Sequence, residues 1–140
     1  MGDTTLELTD KNFEDTLKKG GILIIDFWAA WCGPCRAFAP TFEAAATKHT
    51  DIVFAKVNTD KERSLAQAFE IQSIPTLAVF RDGIPLMHQA GALPAHILEK
   101  VIEETRNLDM EVVKQKIAAE QAKHDATHAA QAKQAEQPKS

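Results

Sequence analysis

Cysteine is scarce in this chain: Cys32 and Cys35 are the only two among 140 residues. One adjacent pair cannot staple a small disulfide-dependent framework, and a chain of this length has room for one ordinary domain with a real core. Long apolar runs are also missing, since none approaches the roughly 20 residues that span a bilayer. The opening "MGDTTLELTD" lacks the basic and apolar regions of an export signal. Leu6 stands where an N-myristoylation signal takes Ser or Thr, so Gly2 is not read as a lipid site. A cytoplasmic protein is therefore expected. The net charge is −4, and the 16 Lys and Arg residues are dispersed among 20 acids without forming a basic patch. Neither nucleic acid nor membrane is an expected partner.

Apolar periodicity alternates between strand-like and helix-like stretches. "LEL" predicts a short strand, and Thr9 opens an amphipathic stretch with Phe13 and Leu17 on one face, stopped by Gly20-Gly21. "ILIIDFW" is continuously apolar apart from one acid, as in a strand covered on both sides. A helix from about Gly33 to His49 follows, then the strand "IVFAKVN" and a helix from Asp60 to Phe69. "TLAVFRDGIPLMHQAG" predicts a hairpin around Asp82-Gly83. "PAHILEKVIEETRNL" predicts a last helix whose Ile97, Val101 and Leu108 face inward. The order β, α, β, α, β, α, β, β, α gives an α/β fold with a mixed central sheet. Residues 1–108 are expected to form this domain. From 109 to 140 the composition shifts to Ala, Gln, Lys and Glu, with high helix propensity and little to bury. That extension is expected to be helical at its start and to fray toward Gln137-Pro138.

The two thiols sit at Cys-x-x-Cys spacing where a helix begins. Cys32 is placed at the helix N-terminus, where free N–H groups and the dipole favour thiolate, the attacking species. Cys35, one turn inside, is expected to be more buried and to act as the resolving thiol that displaces product from a mixed disulfide. Pro34 is tolerated in the first turn and stiffens the loop between the sulfurs. Two other readings compete. Half a zinc site lacks a second ligand pair at suitable spacing in the globular part. Inert packing of two buried cysteines fits poorly with Trp31 before the pair and Gly33-Pro34 within it.

"DFWAAWCGPC", Pro40, "FAKVNTD", "IPT", "FRDG" and "GAL" occur in this order at spacings that resemble thioredoxins, and the resemblance covers about residues 4 to 108. It implies a thioredoxin fold, with about five strands flanked by about four helices, and a cytoplasmic dithiol carrier that reduces protein disulfides. It also implies re-reduction by a flavin-dependent thioredoxin reductase drawing on NADPH, no bound cofactor beyond a redox-active Cys32–Cys35 disulfide, no metal, and a monomer. An oxidant or isomerase is a variant within the same chemistry.

Further site residues follow from the resemblance. Asp26 interrupts the dry strand; burial would raise its pKa and let it exchange a proton with Cys35. The competing reading is an Asp at a strand end with a solvated carboxylate. Lys56 matches the family's lysine near this acid, although a snorkelling surface lysine fits the same pattern. For Pro75, sequence alone favours trans, since only about 5–6% of X-Pro bonds are cis. The resemblance implies cis, leaving the Ile74 backbone free to pair with an extended substrate. Trp31, Gly33, Pro34, Ile74, Pro75, Gly91 and Ala92 would form the docking surface, by a mode like strand addition. Pro40 is expected to break one bond of the long helix and kink it.

Departures from the family's commonest pattern are Arg36 for Lys, Phe69 for Tyr, and Glu70 and Ser73 for glycines. The extension is the largest departure. Its stripe of Met110, Val113 and Ile117, with His124 and His128 one helical turn apart, raises a second reading. In it the chain is an interaction module whose tail recruits a partner and whose redox activity is secondary. A solvated helix or disordered end is the competing account.

Overall fold

The computed structural model describes the backbone over residues 4–136 and side chains through Asp125. The chain divides into two compact units, Met1–Arg106 and Asn107–Ser140. In the first, the elements run β1 (Thr5–Glu7), α1 (Phe13–Lys18), β2 (Ile22–Trp28), α2 (Gly33–Lys48), β3 (Val53–Asn58), α3 (Arg63–Ala68), β4 (Thr76–Arg81), β5 (Ile84–Ala90) and α4 (Ala95–Arg106). The sheet order is β1-β3-β2-β4-β5. Strands β1, β3 and β2 are parallel, while β4 pairs antiparallel with β2 and β5 antiparallel with β4. The mixed five-stranded sheet flanked by helices is the fold that the motif resemblance implies.

The continuous apolar run predicts a strand covered on both faces, and β2 is central and buried from Ile22 to Phe27. Strand alternation divides its side chains between two cores. Ile22 and Ile24 pack with Phe38 and Phe42 of α2 and Leu98 and Ile102 of α4. Leu23, Ile25 and Phe27 pack with Leu65 of α3, joined by Phe13 and Leu17 of α1. Phe69 collects three aromatic partners, with ring centres 5.6 Å from Phe13, 5.1 Å from Phe27 and 5.8 Å from Phe80. A Tyr hydroxyl is not needed for that packing.

The hairpin forms as predicted. Asp82 and Gly83 take φ of 54° and 79°, the pair of positive values that a two-residue type I′ turn requires. Glu70 has φ 53°, which accounts for the family's preference for glycine there. Helices α1 and α3 are shorter than the sequence implies, because the residues before each form turns instead of a first helical turn. Helix α2 continues through Pro40, whose ring removes the donor for one helical bond.

Helix α4 corrects part of the predicted inward face. Leu98, Ile102 and Thr105 are its buried residues; Val101 is half-buried and packs against the same core as expected, whereas Ile97 is only half-buried and Leu108 lies beyond the helix end, exposed. Advancing one position turns a helix by about 100°, so the apolar pattern alone did not separate the two adjacent ridges. Charges the sequence did not pair fix this orientation. His49, just after α2, bonds Glu99 through Nε2 at 2.8 Å and accepts from Arg106 Nη2 at 3.1 Å through Nδ1. Arg106 also forks onto Asp51.

In the second unit, α5 spans Met110–Glu136. Asp109 Oδ1 accepts from the N–H groups of Glu111 at 3.0 Å and Val112 at 3.3 Å, an N-terminal cap. The helix therefore extends well past the apolar start; the fraying expected at Gln137-Pro138 and the His128 side chain lie outside the described residues.

The α4 correction is testable by chemical unfolding. Ile102→Ala should cost about 2–5 kcal/mol, as buried large-to-small changes do, and Ile97→Ala less than half as much. Urea midpoints at unchanged slope would show the difference, and equal losses would contradict the burial pattern.

Candidate active site

Strand β2 ends at Trp28, and the chain crosses Ala29–Trp31 to enter α2 at Gly33. Cys32 is the N-cap of α2, and Cys35 lies in its first turn. The two form a disulfide with their Cα atoms 5.2 Å apart. The Cys35 N–H donates to Cys32 Sγ at 3.2 Å, so the capping acceptor of this helix is a sulfur. Pro34 occupies the first turn, where its missing N–H leaves no helical bond unmade. The bonded pair is nearly enclosed: Cys32 is 4% exposed and Cys35 2%, with Ala29, Trp28 and Ile74 against them. The expected difference in burial is therefore slight here, and the two sulfurs differ chiefly in their place on the helix.

The loop before β4 closes over the pair. The Ile74–Pro75 peptide bond is cis, and the Ile74 carbonyl oxygen lies 3.7 Å from Cys32 Sγ. The Gly91 N–H, where φ is 97°, donates to the Pro75 carbonyl at 2.8 Å and ties this loop to the end of β5. Thr76 Oγ1 donates to the Ser73 carbonyl at 2.6 Å on the other side. Gly33, Pro34, Gly91 and Ala92 are exposed. Trp31 is 69% exposed, and its Nε1–H donates to both Asp60 carboxylate oxygens, at 3.3 and 3.1 Å. Besides Ile74, the apolar contact to the cysteines includes Trp28, which the sequence reading did not single out. Its signal was available: Trp28 follows Asp26 by two on a strand, so both face α2.

Asp26 is within β2 rather than at its end, and is 1% exposed. Its Oδ1 has no hydrogen-bond partner among the described residues. Burial pushes its pKa up to about 7, against the downward pull of Lys56, its register partner on β3. Desolvation wins because no hydrogen bond compensates that oxygen. Lys56 is half-buried; its Nζ pairs with Glu43 Oε1 of α2 at 3.1 Å and lies 5.9 Å from the centre of the Trp28 ring. Glu43 and Asp60 were also missed, because nothing in the local sequence links either to its partner. Among the described residues no group of three His, Cys, Asp or Glu side chains is placed to hold a metal ion.

This arrangement can open and close a disulfide at the start of α2, and the strand that leads into it carries a protonatable buried acid. The thioredoxin family model matches residues 4–104. The putative thioredoxin 2 of Streptomyces coelicolor is 47% identical over 119 residues, covering 85% of this chain and 89% of that protein. The thioredoxin of Alicyclobacillus acidocaldarius is 43% identical, covering 68% of this chain and 91% of that one. A chain solved in work on the thiol resolving mechanism in yeast mitochondrial 1-Cys peroxiredoxin via glutathione/thioredoxin systems matches with a TM-score of 0.66 at 30% identity, over 71% of this chain and 94% of that one.

The raised pKa of Asp26 has a thermodynamic sign. Below about pH 3 the carboxyl is protonated in both folded and unfolded chains. As pH rises toward 7 the unfolded chain releases this proton while the native state keeps it, so the contribution to stability falls across that window and is flat above. The full swing is on the order of 4 kcal/mol. Asp26→Asn should remove it, making the variant more stable than the parent at pH 8 by about 2 kcal/mol or more, with the gap closing toward pH 4. Urea unfolding of both oxidised proteins from pH 4 to 8 measures this, and a constant gap would contradict it.

Proposed function

Because the chain belongs to the thioredoxin family, we propose that its protein-disulfide reductase activity runs through Cys32 as nucleophile and Cys35 as resolving thiol. The carrying observation is the Cys32–Cys35 disulfide at the start of α2, with the Cys35 N–H aimed at Cys32 Sγ. In the reduced protein that N–H and the helix N-terminus favour negative charge on Cys32. The Cys32 thiolate attacks one sulfur of a substrate disulfide; that bond breaks, the other substrate sulfur leaves, and a mixed disulfide forms. Asp26 takes the Cys35 proton, and the Cys35 thiolate attacks Cys32 Sγ. The second substrate sulfur is released, the substrate has gained two electrons, and the protein holds its own disulfide again. Lys56 is assigned to modulating Asp26.

Substrate docking is assigned to Trp31, Gly33, Pro34, Ile74, Pro75, Gly91 and Ala92. What supports this is that Ile74 packs against the disulfide, Gly33 and Pro34 lie between its cysteines, and the Gly91 N–H bonds the Pro75 carbonyl. Backbone pairing along Ile74 supplies affinity with little demand on substrate sequence, so many disulfide proteins are accepted. Re-reduction is assigned to an NADPH-dependent flavin reductase. A monomer in the cytoplasm, where such a reductase keeps the dithiol reduced, fits this carrier role. Residues 1–108 are taken as the redox domain and 109–140 as an appendage.

One observation favours a second reading, a partner-recruiting tail: on α5, Val112 and Ile117 are 42% and 43% exposed. Insulin reduction separates the two. Intact protein given dithiothreitol, or NADPH and a thioredoxin reductase, should be active, Cys32→Ser should be inactive, and Cys35→Ser should accumulate mixed disulfide. A chain ending at Leu108 should keep full activity. Loss on truncation would transfer the function to α5, and an inactive intact protein would overturn the reductase mechanism.

A further inference from the structure

The registers of the parallel strands set three charged residues side by side. Asp26 on β2 pairs with Lys56 on β3, and Lys56 pairs with Glu7 on β1. Ile24 and Phe54, two residues before Asp26 and Lys56 on their strands, share a core with Phe38 and Phe42 of α2. Side chains two apart on a strand point the same way, so this rank of charges lies beneath α2. Helix α2 then brings in a second acid, Glu43, whose Oε1 is 3.1 Å from Lys56 Nζ. The same ammonium is 5.9 Å from the centre of the Trp28 ring, within cation–π range. One cation thus lies among three acids and an aromatic face, while Asp26 Oδ1 has no hydrogen bond. Glu43 is the acid that the ammonium contacts. Its side chain is 55% exposed, against 19% for Lys56, so the pair holds the charge toward the outside of the strand rank.

We propose that Glu43 is a positioning residue: by anchoring the Lys56 ammonium at a 270 Å³ cleft between α2, β1 and β3, it withholds that charge from Asp26 and sets how readily the buried carboxyl takes a proton. The inference rests on the role given to Asp26 above. Most other charges around this face are committed elsewhere or exposed. On α2, Arg36 donates to the Ala30 carbonyl and Lys48 pairs with Glu99. On α4, Glu99 also bonds His49, and Arg106 holds Asp51, while Lys100, Glu103 and Glu104 are exposed. From β4, Asp26 meets Leu77, which carries no charge. Lys61 and Glu7 also line the cleft.

Two effects of Glu43→Gln act in one direction. A negative charge leaves the vicinity, and the released ammonium is free to move toward Asp26; both favour the carboxylate. The test follows Asp26 directly by carboxyl-carbon NMR in the oxidised, full-length chain, as parent, Glu43→Gln, Lys56→Met and the double variant. Glu43→Gln should lower the Asp26 midpoint by about half a pH unit or more. The same change in the Lys56→Met background should move it less than half as far, because the charge it positions is gone. An unmoved midpoint overturns the proposal, and so does an equal shift in both backgrounds, which would mean that Glu43 acts without Lys56. The pH profile of mixed-disulfide resolution in the reduced proteins should follow the midpoint. If the midpoint moves and the profile does not, Glu43's hold on Asp26 stands and the assignment of the Cys35 proton to Asp26 fails.

Discussion

Burial of β2 on both faces is the constraint on which this structure depends. A strand at the centre of a sheet, with helices over each side, has no water to offer its side chains. Five of the six buried residues from Ile22 to Phe27 are apolar and draw α2 and α4 to one face and α1 and α3 to the other. The sixth is Asp26, and the same dryness that holds the layers together disfavours its charge. Fold stability and an acid that titrates near neutral pH therefore have one physical origin.

The strand also delivers the chemistry. Its exit at Trp28 leads directly into the turn that makes Cys32 the cap of α2, so the sulfur pair stands at the end of the best-buried element of the domain. Three ties hold the surroundings: Cys35 N–H to Cys32 Sγ, the Ile74 loop across the pair, and Gly91 to the Pro75 carbonyl. These contacts come from widely separated parts of the chain. Each is main-chain or apolar, which suits the broad substrate docking proposed above.

Polar contacts between helices and strands finish the arrangement. His49, Glu99, Arg106 and Asp51 link α4 to the far end of α2 and to the turn before β3. The Arg106–Asp51 pair is exposed and adds little stability by itself, and the His49–Glu99 pair is part-buried; together they favour one rotation of α4 over its neighbour. Glu43 and Lys56 make the equivalent link near the active site, where placing one charge alters the field on a buried carboxyl.

Local sequence determined the elements whose signals are local. The apolar run of β2, the Asp82-Gly83 turn, the alternation of strand and helix, and the pair at Cys-x-x-Cys spacing each depend on neighbours within a few positions. What the sequence left open needed partners distant in the chain. Whether Ile97 or Leu98 faced inward depended on the sheet and on His49; whether Asp26 was dry depended on α2 covering it. Asp60 bonded to Trp31 and Glu43 on Lys56 were invisible for the same reason. A one-dimensional pattern fixes which face of an element is apolar, but only register and packing fix which charge stands beside which.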